Sequence, residues 1–208
     1  MFKLYLIVDQ LNCHQCDIET VVTEAIKGGV DAVQLREKNA STQEIIELGK
    51  KLQVLLYKHN VPLIINDRVD IAMALNANGV HLGQKDMPYH SARKLLGNKK
   101  IIGISVSNSE QAHKAQQWDV NYLGIGPVFE TSTKLDTSPV IGIEGLRRIC
   151  SISKHPIIAI GGINVTNAHS VLSAGATGIA TVSAICGANN PMLVSKQLFE
   201  IVSSYHAQ

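Results

Sequence analysis

Short β-branched runs alternate along this chain with stretches of helical spacing, and each run stops at polar or glycine-rich residues. The stops fall at Val8-Asp9, Gln34-Leu35-Arg36-Glu37-Lys38, Asn66-Asp67-Arg68, His81-Leu82-Gly83-Gln84, Gly103-Ile104-Ser105, Gly126-Pro127-Val128-Phe129, Gly161-Gly162-Ile163 and Thr181-Val182-Ser183. Eight strand-then-helix units predict an α/β protein, a TIM (β/α)8 barrel forming one domain over residues 1–208. In that fold the residues just past each strand share one face, and that face carries the chemistry.

The predicted strands are Lys3–Val8, Ala32–Leu35, Val61–Ile65, Gly79–Leu82, Lys100–Ile104, Tyr122–Ile125, Pro156–Ile160 and Gly178–Val182. Val61–Ile65 is apolar throughout, as a parallel strand covered on both faces should be. The predicted helices are Ile18–Lys27, a helix capped by Ser41 with Glu44 three residues on, Asp70–Asn76, Ser91–Leu96, Ser109–Gln117, Ile143–Cys150, Thr166–Ala174 and Met192–Val202. Three helices share one ending: Gly28-Gly29-Val30-Asp31, Asn76-Ala77-Asn78-Gly79 and Ala174-Gly175-Ala176-Thr177. In each, a glycine is expected to end the helix before a turn residue starts the next strand.

Composition narrows the function classes. Charged residues make up 17% of the 208, below the usual ~25%, which suits strands covered by helices. The net charge of +2 includes no basic run longer than Lys50-Lys51 or Lys99-Lys100, so no nucleic-acid partner is expected. Leu4–Val8 is too short for a signal-peptide core, and no apolar stretch approaches a membrane span. Four scattered cysteines read as reduced thiols in a cytoplasmic enzyme, and a homo-oligomer is compatible with the chain.

Three sets of residues could do chemistry. Arg36 and Lys38 follow the second strand, and Lys134 lies in a connection of about seventeen residues after the sixth, long enough to be a binding loop. Asp67 and Asp86 follow adjacent strands and can approach each other; paired carboxylates beside a phosphate site suit Mg2+, and helix or loop capping is the competing role. Gly161-Gly162 after the seventh strand and Val182-Ser183 after the eighth lie where such barrels bind phosphate. Cys13-x-x-Cys16 lacks the second ligand pair of a structural zinc site, and His81 reads as a packing histidine.

The order and spacing of Gln34-Leu35-Arg36-Glu37-Lys38, Asn66-Asp67, His81 to Asp86, Gly126 to Phe129, Thr131-x-Thr133-Lys134 and Ile160 to Ile163 resemble the thiamine-phosphate synthase family over essentially the whole chain. The resemblance implies a transferase that condenses a hydroxymethylpyrimidine diphosphate with a thiazole phosphate, releasing pyrophosphate. It implies that Gln34, Leu35, Arg36, Glu37, Lys38, Asn66, Ser105 and Lys134 hold the pyrimidine diphosphate, with Arg36, Lys38, Ser105 and Lys134 acting in catalysis. Thr131, Ser132, Thr133, Gly161, Gly162, Val182 and Ser183 would hold the thiazole phosphate, and Asp67 and Asp86 would hold Mg2+. Two residues depart from the family pattern: Glu130 stands where relatives usually carry proline, and Ser107 where many carry histidine. A thiazole tautomerase on the same barrel and a non-catalytic sensor of thiamine intermediates are the alternatives. Neither needs both the carboxylate pair and the Thr131-x-Thr133-Lys134 set.

Overall fold

A computed structural model describes residues 2–131, 133 and 139–207. Its strands are β1 (Leu4–Val8), β2 (Ala32–Leu35), β3 (Leu63–Asn66), β4 (Gly79–Leu82), β5 (Ile101–Val106), β6 (Tyr122–Ile125), β7 (Ile157–Ala159) and β8 (Gly178–Thr181). Each pairs in parallel with its sequence neighbours, and β8 closes onto β1 through Leu4↔Ile179, Tyr5↔Ala180 and Leu6↔Thr181. The result is the expected closed (β/α)8 barrel. Between the strands run α1 (Ile18–Lys27), α2 (Thr42–Tyr57), α3 (Val69–Ala74), α4 (Tyr89–Leu96), α5 (Ser109–Ala115), α6 (Gly142–Ile152) and α7 (Ala168–Ser173). After β8 come the four-residue α8 (Ser183–Cys186) and the long α9 (Pro191–His206).

Alternation along each strand builds two cores. Leu4, Leu6, Val8, Val33, Leu35, Leu63 and Ile65 face outward and pack beneath the helices. Tyr5, Ile7, Ala32, Ile64, Tyr122, Ile158 and Ala180 fill the interior. Two aromatic rings fit inside only because glycines face them. A Cβ on Gly103 would lie 2.1 Å from Cζ of Tyr122, and one on Gly124 would lie 2.7 Å from Cε1 of His81.

The N-terminal end of the barrel carries a device repeated four times. Asp31, Asn78, Asn121 and Thr177 each precede an even-numbered strand. Each donates its N–H to a carbonyl of the preceding odd strand, namely Leu4, Leu63, Ile102 and Ile157. Each side-chain oxygen then accepts the N–H of that same residue, at 3.0, 2.9, 2.9 and 3.1 Å. Strand-starting amides that would otherwise lack partners are satisfied this way.

Some boundaries and one turn differ from expectation. Strand β3 begins at Leu63 because Pro62 has no N–H for the ladder, although its carbonyl accepts from Val33. Helix α9 continues to His206, and α8 is too short to leave a periodic signal. The expected helix-ending glycine holds at Gly29 and Gly175, both left-handed, whereas Asn76 takes that conformation after α3, at φ 50°. Asparagine tolerates it better than most residues, so Gly79 is left free to start β4. The capping box at α2 forms, with Ser41 and Glu44 bonding each other's backbone amides.

Candidate active site

The C-terminal ends of β2, β3 and β4 bring the predicted cation and carboxylates together. Asp67 follows β3 in a left-handed conformation, φ 60°, and its N–H bonds to the His81 carbonyl at 2.8 Å. It does not cap α3, whose N-cap is Arg68 without a side-chain cap bond. The Lys38 ammonium donates instead to the Asp67 carboxylate. Asp86 reaches the same place from the β4–α4 loop, where its Oδ2 also accepts the Gly83 N–H at 2.7 Å. Burial, and then the hydrogen bond and charge of the Asp67 carboxylate, push the Asp86 carboxyl above its ordinary value. Two carboxylates held this close favour a shared cation over two free charges.

Arg36 follows β2 two residues before Lys38 and engages the end of β1. Its backbone N–H bonds the Val8 carbonyl at 2.9 Å, and its Nη1 stands 4.0 Å from Oδ2 of Asp9. Asp9 is only 4% exposed and also accepts from the backbone and side-chain amides of Asn12. Sequence reading did not select Asp9, although it ends the first strand's stop, Val8-Asp9, and satisfies the positional rule applied elsewhere. Gln84 was missed likewise; its amide donates to the Ser105 carbonyl at 2.6 Å.

Other predicted residues are engaged differently. The Leu35 side chain is 1% exposed and packs in the outer core. Glu37 accepts the Gln10 N–H at 2.7 Å, and burial pushes its carboxyl up. Gln34, 1% exposed, points into the barrel and donates to the Tyr5 hydroxyl. Asn66 ends β3 at the mouth. His81 packs inside and bonds both Tyr122 and Ser105. Ser107 bonds Gln111 near the start of α5.

At the opposite side of the mouth, Gly161 and Gly162 take φ values of 102° and 64°. Cβ atoms there would lie 2.6 Å from Cα of Pro127 and 2.5 Å from the carbonyl oxygen of Glu130. Glycine is therefore demanded by the β6–α6 connection crossing this turn, which Phe129 fastens through its N–H to the Gly161 carbonyl at 3.0 Å. Val182 and Ser183 follow β8 next to this turn. In the same connection the Thr133 N–H bonds the Thr131 hydroxyl at 3.3 Å. Ser132 and Lys134 lie outside the described residues. Of the two thiols of Cys13-x-x-Cys16, Cys13 is buried and Cys16 exposed.

A closed barrel with its ionisable groups gathered at the C-terminal mouth places the chain among (β/α)8-barrel enzymes. A family model described as thiamine monophosphate synthase matches residues 4–185. Thiamine-phosphate synthase of Clostridium novyi (strain NT) is 47% identical over 200 residues, spanning 96% of this chain and 98% of that protein. The same-named enzyme of Albidiferax ferrireducens is 45% identical over 202 residues, spanning 97% and 92%. A solved thiamine phosphate pyrophosphorylase from Pyrococcus furiosus superposes with a TM-score of 0.88 at 41% identity, covering 98% of this chain and 96% of that one. The chain belongs to the thiamine monophosphate synthase family and is a transferase acting on small molecules. No helix among the described residues is long and apolar enough to cross a membrane.

Proposed function

We propose that this chain condenses 4-amino-2-methyl-5-hydroxymethylpyrimidine diphosphate with thiazole phosphate, or its carboxylate, to give thiamine phosphate and pyrophosphate. The observation that carries the reading is the meeting of Lys38, Asp67 and Asp86 on adjacent loops, with Arg36 two residues before Lys38 in the chain. Such a cluster suits a reaction in which negative charge accumulates on a departing diphosphate.

In this reading the methylene–oxygen bond of the pyrimidine substrate breaks first, and its electron pair leaves with pyrophosphate. The pyrimidine carbocation is stabilised by the ring amino group and captured by the thiazole nitrogen. No protein base is needed to make the nucleophile. Arg36 takes phosphate oxygens as a planar fork, Lys38 and Lys134 as point charges, and Ser105 as a hydroxyl donor. Gln34 and Asn66 orient the pyrimidine, with Leu35 and Glu37 shaping the strand end between Gln34 and Lys38. Thr131, Ser132, Thr133, Gly161, Gly162, Val182 and Ser183 seat the thiazole phosphate.

Asp67 and Asp86 would hold Mg2+. Their donor set fits, because facing carboxylates with one reluctant to ionise are relieved by a divalent cation that takes few protein ligands. When bound, the ion neutralises developing charge on the diphosphate as a Lewis acid. The cytoplasm is the compartment we assign.

Pyrophosphate release from both substrates with Mg2+ tests the proposal. Asp67→Ala and Asp86→Ala should each lower turnover by on the order of 10²-fold or more while the protein stays folded. Wild-type turnover in both would remove the metal assignment, and no release by the wild type would end the synthase reading.

A further inference from the structure

A line of hydrogen bonds runs through the barrel interior to the mouth. Gln34 Nε2 donates to the Tyr5 hydroxyl at 2.9 Å, and the Tyr5 and Tyr122 hydroxyls lie 3.1 Å apart. The Tyr122 hydroxyl meets His81 Nδ1 at 3.0 Å, and His81 Nε2 meets Ser105 Oγ at 2.9 Å. Both tyrosines are 1% exposed, within a layer of apolar side chains that includes the Phe2 ring. Four polar groups in such a layer are costly to bury unless each bond is made.

The line has a direction. An amide nitrogen can only donate, so the Tyr5 oxygen accepts from Gln34, and Tyr122 is the partner left for the Tyr5 hydroxyl proton, which would otherwise be buried unpaired. Tyr122 likewise has His81 Nδ1 as the partner for its own buried proton and donates there. An imidazole that accepts at Nδ1 carries its proton on Nε2, and that proton is given to Ser105 Oγ. Burial pushes both phenols above their ordinary value, so both keep the proton the line requires. Ser105 then has its own hydroxyl proton turned away from the imidazole. Its backbone is pinned separately by Gln84, and the His81 carbonyl holds the Asp67 N–H.

We propose that Gln34, Tyr5, Tyr122 and His81 form a one-way hydrogen-bond relay that presets Ser105 as a donor toward the substrate at the barrel mouth. Tyr5, Tyr122 and His81 are positioning residues in this scheme, acting through Ser105. The proposal rests on the assignment of Ser105 to the substrate made above.

Two measurements on the full-length protein test it. Long-range proton–nitrogen spectra of protein labelled with 15N-histidine, with His81 identified by its loss in His81→Gln, read the tautomer directly. The expected result is a proton on Nε2. A proton on Nδ1 would reverse the line and overturn the relay, and the tautomer itself is read in the unaltered protein, His81→Gln serving only to assign the signal.

Kinetics supply the second arm. Tyr122→Phe should shift the tautomer balance and lower kcat about tenfold, the loss of one neutral hydrogen bond, with KM for either substrate little changed. Combined with Ser105→Ala it should add nothing, because both act on one group. Multiplied losses would overturn the relay. Should Tyr122→Phe fold poorly, Tyr5→Phe breaks the same line one step earlier and should follow the same pattern. Wild-type turnover in Ser105→Ala would overturn the proposal through its premise, leaving the tautomer as a structural fact.

Discussion

At the N-terminal end of the barrel, Asp31, Asn78, Asn121 and Thr177 each close a two-bond ring with the strand beside them. At the C-terminal end, Lys38, Asp67 and Asp86 bond or face one another, while Arg36 faces Asp9. The first set satisfies backbone that would otherwise be orphaned. The second concentrates charge whose like-signed members raise each other's cost. One end stabilises the fold, and on the proposed function the other holds groups in reserve for a ligand. Substitutions at the two ends should therefore separate activity from stability.

The largest effect should come from the mouth. On the proposed function, Lys38→Ala should lower pyrophosphate release by on the order of 10²-fold, because it would remove a charge opposite the leaving group. The Lys38–Asp67 pair is half exposed on the lysine side, so its loss should change unfolding free energy by under about 1 kcal/mol. A large loss of stability with a near-normal rate would erase the contrast between the ends.

Asn78→Ala should do the reverse. It leaves the buried Leu63 N–H without its partner, at roughly 1–3 kcal/mol by urea unfolding, while turnover stays near wild type. Asn121→Ala should match it, since the geometry repeats. A rate loss without a stability loss would show that the lower ring communicates with the mouth.

The smallest effect concerns Asp31. Burial pushes its carboxyl up, against the opposing pull of the Lys3 and Leu4 N–H groups. A carboxyl harder to ionise in the folded chain contributes its stability fully below the ordinary value of 3.8 and loses it as pH rises through the folded value. Asp31→Asn loses one acceptor at every pH but escapes that decline. Relative to wild type its unfolding free energy should rise as the pH climbs from the ordinary value of 3.8 through the folded value and then stay level. A flat difference would mean that the two N–H groups cancel the burial.

Much of this architecture was legible in the chain. Eight polar stops marked eight strand ends, and their placement put Lys38, Asp67 and Asp86 on one face before any coordinate was known. The turns after α1, α3 and α7 already contained Asp31, Asn78 and Thr177. Their function was hidden because each bonds a strand roughly fifteen to thirty residues earlier, a pairing that only closure of the sheet creates. Asn121 escaped notice because Val120 precedes it with no glycine to mark the turn.

The interior was harder to read. Tyr5 and Tyr122 look like ordinary strand residues, and nothing in their spacing says that they face each other across the barrel. Asp9 met the same positional test as Asp67 but has no neighbouring motif to single it out. Lys134 and Ser132 belong to the connection whose packing partner, the Gly161-Gly162 turn, was read from sequence for closeness to an anion. Closeness to Pro127 and Glu130 is what demands glycine there.

Gly103 and Gly124 have an implication of their own. Each is a socket, one for a phenol and one for an imidazole, and a socket is defined by the absence of a methyl group. A single added carbon at Gly124 would evict the His81 ring without touching any residue assigned to substrate or metal. Chemistry at the rim is thus hostage to two positions where the chain carries no side chain at all.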